Sequence, residues 1–194
     1  MPDLTRDQAR EALADIELVA RHTRRAVAGS QMGDNLLLWG ALWIVAFTLS
    51  HLSPAHTSRI WMVLGSLGMV ATLGLGIREH RQGNVRSAQT RRLMAQVALF
   101  WLTVMVYAMA LGMLLPLRNG ADQLAVIVTV LMMAYVLMGI WVRSGLLAAI
   151  GLVVSVAALA GRAFLDFRGF LLWMAVFGGG GLFLPGLYIK LRWR

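Results

Sequence analysis

The sequence predicts an all-α fold: a polytopic membrane bundle of about six transmembrane helices in three hairpins, plus an N-terminal amphipathic helix. Three observations predict it. Of 194 residues, 59% are hydrophobic and only 14% charged, and the mean hydropathy of +0.70 is too high for most of the chain to be solvated as a globular surface. The apolar residues gather in six runs, near 34–52, 59–77, 93–115, 121–142, 145–161 and 169–189, most of them close to the roughly 20 residues that carry a helix across about 30 Å of hydrocarbon. The positive charge is lopsided. Threaded through six spans, 14 of the 18 Lys and Arg fall on one side, and only Arg59, Arg118, Arg162 and Arg168 on the other. By the positive-inside rule both termini belong in the cytoplasm.

Residues 1–33 come first, as a cytosolic amphipathic arm. They lack the apolar core of a cleavable signal peptide. Thr5 and Gln8 have capping-box spacing, and Leu13, Ile16, Ala20 and Val27 recur at threes and fours on one face of a helix. Acids dominate its first half and basic residues its second, which complements the helix dipole. Mixed charges and a lack of aromatics fit a protein contact better than a lipid-binding helix. Gly29, Ser30 and Gly33 then end the arm, and Asp34 or Asn35 is placed to cap the first span.

Around this junction, "ELVARHTRRAVAGSQMGDNLLLWGALWIV" resembles uncharacterised bacterial inner-membrane proteins with a cytosolic amphipathic N-terminal arm and a Trp-Gly motif in the first span, here Trp39-Gly40. The resemblance covers about the first quarter of the chain and the layout of hairpins around a basic second loop. It implies an accessory or regulatory membrane protein, and it brings no catalytic residues.

The membrane domain, 34–189, follows in three hairpins, 34–77, 93–142 and 145–189, with a basic loop at 78–92 and a basic cytosolic tail at 190–194. No internal repeat relates them, so an inverted-repeat transporter gains nothing from this direction. The fifth run is the shortest and richest in Gly and Ala. Trp61 and Trp173 fall near outer ends and Trp141, Tyr188 and Trp193 near inner ends, as an interfacial belt would have them. Small residues four apart, Gly68, Thr72 and Gly76 in the second span and Gly151 and Ser155 in the fifth, allow close helix packing.

The sixth run holds "FGGGGLFLPG". Gly178, Gly179, Gly180 and Gly181 sweep about 300° around a helix at 100° per residue, so they are more than a one-sided packing stripe. Pro185 leaves the carbonyl of Gly181 without its helical donor. These five residues are candidates for a helix break. Such a break is either a kinked, continuous helix packed on its neighbours or a discontinuous helix that forms a binding site. In either case Gly179 and Gly180 should not tolerate bulk.

Little else carries chemistry. No cysteine is present, which removes thiol catalysis and thiolate metal sites. No span has a charge at its centre, which removes a carboxylate-based ion carrier and a paired-aspartate protease. Ser66 lacks the preceding glycine of a nucleophile elbow. His51 and His56 are a pair without carboxylate support, a poor metal site, and Met105, Met109 and Met113 form a thioether stripe that serves packing as well as copper. No enzyme activity, cofactor or metal is therefore expected, and no nucleic acid, because the basic residues flank spans. The expected partners are the lipid bilayer and either a second copy or another membrane or cytosolic protein. The function to match is an accessory, regulatory or oligomeric membrane subunit. The alternative is a small permease for an apolar or amphipathic solute whose path is lined by the broken sixth span.

Overall fold

The computed structural model describes residues 32–82, 88–115 and 120–192. The arm face of Leu13, Ile16, Ala20 and Val27 lies outside them. The described chain is helical throughout, with α1 at Met32–Leu52, a 3-10 turn at Pro54–His56, α2 at Thr57–Gln82, α3 at Ala88–Leu114, α4 at Gly120–Trp141 and α5 at Gly145–Phe164. The last span is one rod made of α6 at Phe167–Met174, a π-helical turn at Ala175–Gly179 and α7 at Gly180–Arg192. Six helices are long and apolar enough to cross a membrane, and the protein is a multi-pass membrane bundle.

Local chemistry explains most of the boundaries. Pro54 opens the 3-10 turn, where its missing N–H costs nothing, and Thr57 Oγ1 donates to the Pro54 carbonyl at 2.8 Å. Ser144 caps α5 by accepting from Leu147 N–H, and Asp166 caps α6 by accepting from Gly169 N–H at 2.9 Å. α4 ends in a Schellman motif, in which Ser144 N–H donates to Gly139 and Arg143 N–H to Ile140. That motif puts its penultimate residue in the left-handed region, usually as glycine; here Arg143 takes it, with φ of 55°.

Three boundaries differ from the sequence reading. α1 already includes Met32 and Gly33, so neither Asp34 nor Asn35 caps it; Asp34 instead accepts from Lys190 Nζ of α7 at 2.7 Å. The fifth span reaches Phe164, and its 20 residues give about 30 Å at 1.5 Å per residue, a full crossing. It extends past 161 because Arg162 is neutralised there by Asp122 at the start of α4. α2 runs to Gln82 and α3 starts at Ala88, so helix continues into both ends of the stretch read as a basic loop, and 83–87 lie outside the described residues.

The helices pack in an order unlike their order in the chain. α2 lies on α1, α1 on the last span, the last span on α5, α5 on α4, and α4 on α3. Each expected hairpin pair touches, and α4 also packs extensively on α5, across a hairpin boundary. The core sits among α1, α4, α5 and the last span, around Phe47, Met132, Val154, Phe170 and Met174. Of the most apolar window of the last span 44% is buried, against 6% in α2 and in α3. Four helices make the protein interior, and two flank it.

Candidate functional site: a glycine seam and the groove beside it

Gly33 and Gly40 on α1 are seven residues apart, as are Gly179 and Gly186 on the last span. Seven residues return to the same helix face within about 20°. The two helices run antiparallel and bring these glycines together. A Cβ placed on Gly40 would stand 2.5 Å from the Phe183 nitrogen, one on Gly179 2.7 Å from the Ile44 nitrogen, and one on Gly186 2.8 Å from the Leu37 nitrogen. The backbones therefore meet directly along about two turns, and no larger residue fits at these points.

The glycine run faces three ways. Gly178 and Gly179 face α1 at Trp43 and Ile44, Gly181 faces Val154 of α5, and Gly180 has nothing within 4 Å. The run does sweep around the helix, and of the two forms expected the helix takes the continuous one: the π turn passes into α7, which continues through Pro185. The expectation that Gly180 would reject bulk is overturned, because it looks into a groove rather than at a neighbour. That groove holds about 310 Å³ and is lined by α5 residues Ala149, Ile150, Val153 and Val154 and by Gly180, Gly181, Leu184 and Pro185. No polar side chain lines it.

The other packing candidates divide. Gly68 faces Leu42 and Trp39 of α1, and Thr72 accepts from Trp39 Nε1–H at 3.1 Å while donating to the Gly68 carbonyl. Gly76, one turn on, faces open space. Gly151 lies against the Met132 carbonyl and Val136 of α4, and Ser155 is half-buried. Gly33, Gly40, Gly139, Gly161 and Gly186 were missed as packing positions. A search for glycines seven apart would have found Gly33 with Gly40 and Gly179 with Gly186. Gly139, facing Ala148, and Gly161, facing Trp173, are isolated and carry no such signal.

Polar groups serve to join helices. His51 Nδ1–H donates to the Arg168 carbonyl at 2.9 Å, which ties the end of α1 to α6 and occupies one of the ring nitrogens a metal would use. Trp173 Nε1–H donates to the Ala157 carbonyl at 2.8 Å, and Trp61 packs edge-on against Trp43 and Phe47. Both tryptophans are half-buried and turn one edge into the bundle. The Ser50 side chain is fully buried, and neither its hydroxyl nor the Trp61 indole N–H has a hydrogen-bond partner among the described residues. No group of three His, Asp or Glu gathers into a metal-sized cluster among the described residues.

Against protein-family models, curated proteins and solved structures, the chain matches none.

Proposed function

We propose that this protein is a non-enzymatic subunit of the bacterial inner membrane that works by contact, as an accessory or regulatory partner of another membrane or cytosolic protein or of a second copy. The observation that carries this reading is the pair of flanking helices. α2 and α3 are each anchored along one side only, α2 on α1 and α3 on α4, and their exposed apolar residues, such as Val70 at 67% and Met113 at 76%, point away from the core. They supply intramembrane surface on two sides of a bundle that is already packed without them. The arm at 1–33 adds a cytosolic contact.

The permease reading has less support. It needs the glycine run to line a path, and Gly178, Gly179 and Gly181 are taken up by α1 and α5. Affinity purification of the full chain in mild detergent, with mass spectrometry and light scattering, tests the proposal. It should retain a specific partner or a second copy, and deletion of residues 1–31 should weaken the cytosolic contacts. A lone monomer from both forms would overturn it. Orientation has its own test, since the chain has no cysteine. Cysteines introduced at Ser30 and Ser87 should label only from the cytoplasm, and one at Ser53 only from outside; external labelling at Ser87 would overturn the six-span orientation.

A further inference from the structure

We propose that the groove between α5 and α7 binds an anionic phospholipid, with one acyl chain on its floor and the phosphate at Arg143. The floor is bare backbone at Gly180 and Gly181, and the walls are Val153 and Leu184, which are 62% and 65% exposed. At about 310 Å³ the slot is near the lower limit of ligand pockets. A methylene chain can lie along it, whereas a helix 10–12 Å across would insert only a side chain. The lack of polar lining excludes a polar solute, which would leave its own groups unpaired.

Depth and charge name the lipid. The groove starts at Ala149, four residues past the first residue of α5, about 6 Å at helical rise, and Arg143 lies in the turn just before that helix. It therefore lies in the acyl region of the leaflet nearer that end of the bundle. Arg143 is exposed at the interface, and none of the described carboxylates pairs with it. Its guanidinium suits a phosphate, which it can hold through two parallel hydrogen bonds. Lys190, at the same end, is held by Asp34. Arg143 holds a left-handed position, φ 55°, just past the end of α4, where its charge also complements the helix dipole.

The test is native mass spectrometry of the full chain in mild detergent, titrated with phosphatidylglycerol and with phosphatidylcholine of the same acyl chains, and with glycerol phosphate as a competitor. The wild type should hold phosphatidylglycerol more tightly, and glycerol phosphate should not displace it, because the chain in the groove supplies part of the affinity. Arg143→Gly should weaken phosphatidylglycerol about fivefold, the worth of one arginine at an anionic surface, and leave phosphatidylcholine unchanged without lowering the unfolding midpoint. Gly180→Leu should fill the slot and weaken both lipids, while Gly65→Leu, on the open face of α2, should change neither. Equal binding of the two lipids by the wild type, or an unchanged preference in Arg143→Gly, would overturn the proposal. So would displacement by glycerol phosphate, or a dimer that Gly180→Leu dissociates without loss of lipid.

Discussion

α2 carries Gly65, Gly68, Gly74 and Gly76, and in front of Gly65, Gly74 and Gly76 there is open space. The last span carries Gly169, Gly178, Gly179, Gly180, Gly181 and Gly186, and only Gly180 is open. Both helices are apolar, with mean hydropathies of 1.9 and 1.7, and both are rich in the same small residue. In the last span the missing side chains let another backbone come within contact distance. In α2 they mostly leave the helix surface smooth. The difference shows that a glycine in a membrane helix reports a close approach only where another helix lies directly opposite it.

Substitutions along the seam should separate the two segments. The largest effect is expected for Gly40→Leu, which drives a side chain into the Phe183 backbone and should cost about 3 kcal/mol or more as overpacking, measured by reversible unfolding in mixed micelles. Gly65→Leu on α2 should stay within about 0.5 kcal/mol of wild type. A similar loss for both would end the distinction. Within the last span, Gly179→Leu should cost about 2 kcal/mol and its neighbour Gly180→Leu should be nearly neutral, which sharpens the comparison to adjacent residues.

Thr72→Val keeps the shape but removes the acceptor for Trp39 Nε1–H. Its expected cost is about 0.6 kcal/mol, typical of a hydrogen bond between membrane helices, with a shift in Trp fluorescence as α2 loosens from α1. A change of the opposite sign is expected for Gly76→Ala, about 0.5 kcal/mol of added stability, because a helical glycine with nothing in front of it only forfeits entropy. Destabilisation at Gly76 would mean that α2 meets a partner there.

The spans were legible because length and hydropathy decide what crosses a membrane, and six apolar runs are hard to misread. The ranking of those spans was not. α2 is slightly more hydropathic than the last span yet far less buried, since lipid is as apolar as a protein core and selects no different side chains. The extra turn of α5 was hidden because Arg162 looked like a boundary until Asp122, 40 residues away, neutralised it. The reversal at Gly180 has a similar origin. Periodicity tells which way a residue points relative to its neighbours in the chain, and a π turn just upstream alters that phase.

That π turn gives the length of the glycine run a meaning of its own. A π turn accommodates one residue more than an α turn of the same height, and one residue is worth about 100° of rotation. Before it, Trp173 donates to the Ala157 carbonyl of α5 and the Arg168 carbonyl accepts from His51 of α1; beyond it, Gly181 meets Val154 of α5, Gly186 meets Leu37 and Lys190 pairs with Asp34. The run works as a phase shifter between these two sets of interlocking teeth. Deleting a single glycine would preserve composition and hydropathy almost unchanged, yet would turn Gly186 and Lys190 a quarter of the way round and disengage the second set of teeth.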